Sequence, residues 1–244
     1  MALVDSCVLY STVNDAGAVT SPAIGLAGTV SNGSFIAAKF GNGHLATAVN
    51  NSDYISFPPT DFNVNKGAIG FWTKSKYAFP ADTSLHSLFT NINGADLFSI
   101  LTGSLARVSC SFRGTGLNAN ITFTDAWAVD DLIHWLYVWD NTAGFDGAKT
   151  FAVYKNGVEK GSSALAIGSM NPAANTYFGI YAGSVGRESD QAVDEIKIFN
   201  DMSAALLAEM LVNKDEIGFP IAGGKRMIDG GIRSNLIDRS VLVA

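Results

Sequence analysis

Three carboxylates fall within seven residues of this chain, Glu188, Asp190 and Asp194 in the run Glu188-Ser189-Asp190-Gln191-Ala192-Val193-Asp194. Paired carboxylates are the equipment of glycoside hydrolysis, which in its retaining form holds them about 5–5.5 Å apart, with one pKa raised so that it donates a proton. The surrounding sequence SVGRESDQA reads as a loop, and a solvated loop is the simpler account. His44, His86 and His134 are the three histidines, and none stands with a Cys, Asp or Glu at metal-ligand spacing. No G-x-S-x-G, phosphate-binding loop or dinucleotide fingerprint is present. The expectation is therefore a protein that does no chemistry. Cys7 and Cys110 are the two cysteines, and free buried thiols are favoured over a disulfide. Trp127, Tyr177 and Tyr181 have ring faces that could stack on a sugar, with core packing as the competing reading.

Short alternating runs punctuated by turn residues would have to position these groups, which is the pattern of a sandwich or barrel rather than of βαβ units. Ser34 to Phe40, His44 to Val49 and Tyr54 to Phe57 are each bounded by Gly, Asn or Pro. Asn42-Gly43 and Asn156-Gly157 lie between strand-like runs and are expected to form hairpin turns, where positive φ costs Asn and Gly least. In His134-Trp135-Leu136-Tyr137-Val138-Trp139, the residues Trp135, Tyr137 and Trp139 point one way and Leu136 and Val138 the other. Such a strand belongs in the middle of a sheet. Phe151 to Tyr154 and Tyr177 to Tyr181 are further strand candidates. One segment reads as helical: after Ser203 as N-cap, Leu206, Leu207, Met210 and Leu211 recur on one face. Beyond Phe219-Pro220 the composition changes, so residues 220–244 are read as an appended arm, an assembly or packing element behind a single domain at 1–219.

Length and charge narrow the classes. A chain of 244 residues with 48 % hydrophobic and 16 % charged residues suits one large β-domain. A net charge of -6 and the lack of any Lys/Arg cluster argue against nucleic acid as a partner. No stretch approaches the roughly 20 apolar residues of a membrane span, so no membrane insertion is expected. The start MALVDSCVLYS lacks the features of a secretory signal, which suggests synthesis in the cytoplasm.

Four segments, in order, carry a resemblance to a known family. They are Ala38-Lys39-Phe40-Gly41-Asn42-Gly43 with Asp53-Tyr54-Ile55-Ser56-Phe57-Pro58, then Ala68-Ile69-Gly70-Phe71-Trp72-Thr73-Lys74. Ile133-His134-Trp135 through Trp139-Asp140 follows, with Val153-Tyr154-Lys155-Asn156-Gly157, and last comes Val193-Asp194-Glu195-Ile196-Lys197-Ile198-Phe199-Asn200. Together they resemble the laminin G-like (pentraxin-like) domains of the concanavalin A-like lectin/glucanase superfamily. The resemblance implies an all-β fold, an antiparallel two-sheet β-sandwich or jelly roll with one short C-terminal helix. The superfamily's hydrolases carry an E-x-D-x-x-x-E strand motif; here Asp194 replaces the final Glu, a shortening that misplaces a reacting oxygen. His134 falls on a motif position and is read as structural. Asp194 also matches the place where many members hold a structural Ca²⁺, a cation that wants oxygen ligands; no other cofactor is implied. The role expected first is a virion surface, decoration or tail subunit of a bacteriophage-like particle, with other protein subunits as partners and a homo-oligomer or virion shell as its setting. The alternative is a carbohydrate-binding adhesion module acting outside the cell on cell-surface glycans, and the third is a divergent glycoside hydrolase.

Overall fold

Side-chain alternation decides the layers. In the strand Leu132–Asp140 the rings of Trp135, Tyr137 and Trp139 enter one apolar cluster while Leu136 and Val138 enter another, so both faces are dry. The computed structural model describes residues 3–233 apart from 48–52, 59–62, 83, 94–95, 104–106, 115–116, 143, 168–174, 181–187, 216–219, 222–224 and 229–230. The elements run α1 Leu3–Ser6, β1 Cys7–Ser11, α2 Ala16–Thr20, β2 Thr29–Ser31, β3 Ser34–Ala37, β4 Asn42–Ala46, β5 Tyr54–Phe57 and β6 Lys66–Ser75. They continue with β7 His86–Asn93, β8 Asp96–Gly103, β9 Arg107–Arg113, β10 Asn118–Thr124, β11 Leu132–Asp140, β12 Phe151–Lys155, β13 Val158–Ser163 and β14 Thr176–Phe178. The last are β15 Gln191–Phe199, α3 Ala204–Val212, β16 Pro220–Ile221, β17 Lys225–Ile228 and β18 Gly231–Arg233.

Two antiparallel sheets make the sandwich. One has eight strands, ordered β13-β12-β11-β6-β15-β4-β3 with β1 also paired to β15, and the other has seven, ordered β10-β9-β8-β7-β14-β5-β2. Between them lie Phe71, Phe89, Phe112, Trp135, Tyr137, Trp139, Phe151 and Phe178, all fully buried. The polar tips of these aromatics find partners, as burial requires: Trp135 Nε1 donates to Thr73 Oγ1 at 3.2 Å, Trp139 Nε1 to the Asn63 carbonyl at 3.0 Å, and the Tyr137 hydroxyl to the Ser111 carbonyl of the facing sheet. The outer face of the eight-stranded sheet is covered in its turn by Leu3 of α1 and by Leu206, Leu207 and Met210 of α3. Ser203 caps α3, its hydroxyl accepting from Leu206 N at 3.3 Å.

The sandwich expectation holds; of the strand candidates, Tyr177–Tyr181 is strand only to Phe178, with Gly179 turning the chain at φ 92° and Tyr181 outside the described residues, and two further local expectations need correction. Asn156 and Gly157 do form a two-residue hairpin, with φ of 52° and 84° and Lys155 opposite Val158. Asn42-Gly43 does not: both residues pair within the sheet, against Ala37 and Ile36. The turn sits one step earlier, closed by Ala38 N donating to the Gly41 carbonyl at 2.8 Å with Gly41 at φ 113°. Three helices are described rather than one, because α1 and α2 are too short to display a helical period. Both cysteines are free and buried in different clusters, Cys7 on the helix-covered side and Cys110 between the sheets; burial pushes the Cys7 thiol up to about 12. Residues 220–233 hold a small antiparallel sheet of their own, β16-β17-β18, and 234–244 lie outside the described residues.

Close packing of strands β6, β11 and β15 leaves no room beside Gly67. A Cβ there would sit 2.3 Å from the Phe199 carbonyl and 2.7 Å from the Trp139 ring. Gly67→Ala is expected to cost about 1–3 kcal/mol, read as a lower urea midpoint with an unchanged slope; an unaltered midpoint would mean that these strands separate more easily than their packing implies.

Candidate functional site

The carboxylates of the 188–194 run do not share a cleft. Glu188 is 1 % exposed in the segment leading into β15, and its carbonyl lies 3.0 Å from His86 Nδ1 of the other sheet. His86 stacks on Tyr77 at 4.1 Å between ring centroids, with Asp82 Oδ2 3.3 Å from Nε2 and Asp190 Oδ2 3.7 Å from Nδ1. Gln191 Nε2 donates to the Tyr77 hydroxyl at 3.0 Å, and Ser75 Oγ donates to the Tyr77 carbonyl at 2.7 Å. The result is a polar plug at one end of the core. Asp194 belongs elsewhere, on the helix-covered face opposite Trp72, because Val193 before it faces the inter-sheet core.

Asp194 is fully buried, and its Oδ2 accepts from Phe40 N at 2.8 Å. Burial, with the neighbouring Glu195 carboxylate, raises its pKa to about 7 against the pull of backbone N–H groups. Calcium needs several converging oxygens, whereas this carboxylate is met by an N–H donor, and no cluster of three His, Cys, Asp or Glu suited to a metal occurs among the described residues. Asp194 Oδ1 is buried without a hydrogen-bond partner. His134 lies on the same covered face against Trp72, and burial holds its pKa down to about 3, so the ring is neutral.

The three aromatics singled out from the sequence do not form one platform. Trp127 is 5 % exposed, stacked on Phe79 at 4.4 Å with Lys155 Nζ 4.8 Å from its ring and its Nε1 donating to Ser75 Oγ, which leaves no open face. Tyr181 lies outside the described residues. Tyr177 is half-buried on the outer side of β14, edge-on to Tyr54 at 5.3 Å.

Around Tyr177 the strand register assembles something the individual motifs do not reveal. Thr29 pairs with Ser56, Ser56 with Tyr177, Tyr177 with Thr90, Thr90 with Ser99, Ser99 with Ser111 and Ser111 with Asn120. Directly paired residues share a face, so a transverse row of hydroxyl and amide residues runs along the side away from the core on β2, β5, β14, β7, β9 and β10, with Ser99 at the matching register position of β8. Its middle is covered: Ser56 and Thr90 are buried, and Thr90 Oγ1 donates to the Ile180 carbonyl. Its β9–β10 end is open. There Val108, Cys110, Phe112, Ala119 and Ile121 turn inward, while Ser109, Ser111, Asn118, Asn120, Thr122 and Thr124 turn outward, with Ser111 Oγ donating to Asn120 Oδ1 at 2.8 Å. Three strand spacings, ~14 Å, separate Tyr177 from Ser111. This arrangement can hydrogen-bond many hydroxyls at once beside a half-exposed aromatic pair. The sequence signal for it was the strict alternation of RVSCSFR and NANITFT, whose outward positions carry no aromatic residue and no ionisable one apart from the two arginines. A half-open groove of about 360 Å³ beside α2, lined by Thr12, Asn14, Asp15 and Ser21 among others, offers no ring face.

No protein-family model and no curated protein sequence matches the chain. Among solved structures it is similar to the binding domain of botulinum neurotoxin serotype G, at 13 % identity and a TM-score of 0.65 over 85 % of this chain and 51 % of that one. The binding domain of botulinum neurotoxin DC, solved in complex with SialylT, matches at 12 % identity and a TM-score of 0.64 over 88 % and 52 %. Domain 4 of AbnA, a GH43 extracellular arabinanase from Geobacillus stearothermophilus solved in complex with arabinotriose, matches at 15 % identity and 0.59 over 84 % and 98 %. The chain thus spans about half the length of the neurotoxin binding domains. What is shared is the fold, a two-sheet antiparallel β-sandwich.

The buried Asp194 makes a pH prediction. Its folded pKa near 7 lies above its ordinary 3.8, so the folded chain keeps a proton that the unfolded chain has lost between those values. Stability therefore falls as pH rises from about 4 to 7. Asp194→Asn is expected to flatten that slope and to exceed the parent at pH 7.5 by on the order of 1–3 kcal/mol, by urea unfolding at several pH values. A parallel pair of pH profiles, or a melting temperature that rises with added Ca²⁺ only when Asp194 is present, would contradict this account.

Proposed function

We propose that the chain is a non-catalytic, carbohydrate-binding receptor-recognition module that engages glycan through the open face of its seven-stranded sheet. The observation that carries this reading is the row of hydroxyl and amide residues, continued on β9 and β10 by Ser109, Asn118, Thr122 and Thr124 and flanked by the Tyr54–Tyr177 pair. Sugars present apolar ring faces and a rim of hydroxyls, so they are held by aromatic contact together with many neutral donors and acceptors. The neighbours in fold lend support: one AbnA domain of nearly the same extent was solved with arabinotriose, and neurotoxin binding domains were solved with SialylT and with rat synaptotagmin II. A protein receptor is thus a second class of partner compatible with the same surface.

The absence of chemistry is part of the proposal. Glu188 is walled into the polar plug and Asp194 lies under the helix-covered face, so the two do not flank a common substrate. The virion-subunit expectation gains no support of its own from the neighbours in fold. Among the described residues no helix is long and apolar enough to cross a membrane.

Glycan-array and calorimetric binding test the reading. Tyr177 is partly exposed, so Tyr177→Ala is expected to fold normally and to weaken the best glycan about tenfold, as losing an aromatic contact of ~1.4 kcal/mol does. Asn120→Ala is expected to weaken it less. A silent array at high protein concentration, or a hit indifferent to both substitutions, would remove the proposal.

A further inference from the structure

We infer that the open sheet face selects an acidic glycan, one bearing carboxylate or sulfate groups, and that Arg107 and Arg113 hold those groups. The inference rests on the glycan-binding reading and names the charge class of its ligand. Strand β9 alternates, with Val108, Cys110 and Phe112 in the core, so Arg107, Ser109, Ser111 and Arg113 stand on the outer face. Both arginines are exposed at the two ends of that strand. Six residues at about 3.3–3.4 Å each place them ~20 Å apart, with the hydroxyl and amide ladder between them. Opposite them on β10 are neutral partners, Thr124 across from Arg107 and Asn118 across from Arg113.

Within the sandwich, the distribution of charge sets these two cations apart. Every lysine of the two sandwich sheets and their flanking segments up to Lys214 lies within ion-pair distance of a carboxylate, from Lys39 on Asp215 at 3.0 Å and Lys155 on Asp125 at 3.0 Å to Lys197 on Glu195 at 3.2 Å. Among the described residues Arg107 and Arg113 have no such carboxylate. The strands of this sheet contain one acidic residue, Asp96 at the start of β8. A chain with 22 Asp and Glu against 16 Lys and Arg has acids in excess, yet this face is left almost without them, so its two guanidiniums set a local potential opposite to that of the whole molecule. A guanidinium meets a carboxylate or sulfate through two parallel hydrogen bonds, a geometry that lysine cannot reproduce. Two cations ~20 Å apart on an otherwise neutral face are too sparse for duplex DNA, which carries a phosphate charge every ~1.7 Å and would meet a net-negative protein.

Surface binding of the full chain to four immobilised polymers separates the possibilities: heparin as sulfated glycan, polygalacturonate as carboxylated glycan, dextran as neutral glycan, and duplex DNA. The chain is expected to bind at least one acidic glycan tenfold or more tightly than dextran, with affinity falling as salt rises from 0.05 to 0.5 M. The double variant R107Q/R113Q is expected to lose that preference while keeping the parent's thermal unfolding, since both side chains are exposed, and R107K/R113K is expected to restore only part of it. Equal binding to acidic and neutral glycans, unchanged in R107Q/R113Q, would overturn the inference and leave the glycan-binding reading standing. No binding to any polysaccharide would overturn both. Binding to DNA as tight as to the acidic glycans would overturn the inference by showing unselective attraction to anions.

Discussion

The centre of the eight-stranded sheet is dry on both sides, and the rest of the molecule follows from that. Strand β11 puts Trp135, Tyr137 and Trp139 against the second sheet and Leu136 and Val138 against the helical cover, so neither face of this strand is left for water. Apolar area removed from water is the dominant favourable term in folding, and here it uses up both faces of one layer. In the second layer β9 and β10 send their apolar side chains inward and their polar ones outward. The outer face at that end is therefore free to carry polar groups, and the hydroxyl and amide row reaches it.

Covering the eight-stranded sheet with α1 and α3 buries polar groups too, and β15 is shaped to manage them. Along one edge this strand pairs first with β4 through Gln191–Val193 and then with β1 through Ile196–Phe199, and its register slips between Asp194 and Lys197. Glu195 sits at the slip with φ 52°, an unusual backbone for a non-glycine residue. Its carboxylate accepts from the Tyr10 hydroxyl at 3.0 Å and pairs with Lys197 at 3.2 Å, all three side chains being buried. A buried ion pair adds little net stability beyond offsetting its own desolvation. What the group does in this fold is join β1 to β15 across the bulge, a structural duty. The acids that most resembled a reactive cluster are thus employed in holding strands and loops together.

The plug of Tyr77, His86, Gln191, Ser75 and Trp127 follows the same logic at the end of the sandwich. Polar groups at this end of the core pair with one another, as Gln191 Nε2 does with the Tyr77 hydroxyl and Trp127 Nε1 with Ser75 Oγ. Trp127 read as a sugar platform in isolation; with Phe79 on one face and Lys155 near its ring it is a wedge in the core instead.

The sequence by itself determined an all-β sandwich or barrel, because alternation with a period of two and the Asn156-Gly157 turn are local properties that survive without knowledge of partners, and the choice of a two-sheet sandwich came from the family resemblance. It also determined the α3 cap at Ser203 and the doubly apolar character of the His134–Trp139 run. It could not determine which strands lie side by side, and the hydroxyl and amide row consists of nothing else. Ser56, Thr90, Ser111 and Asn120 are ordinary residues in separate segments; only the register of antiparallel pairing across seven strands puts them in one row. The displaced turn at Ala38–Gly41, the burial of Trp127 and the separation of Glu188 from Asp194 were decided the same way. Side-chain chemistry is written residue by residue, whereas proximity is a product of long-range pairing that no local pattern encodes.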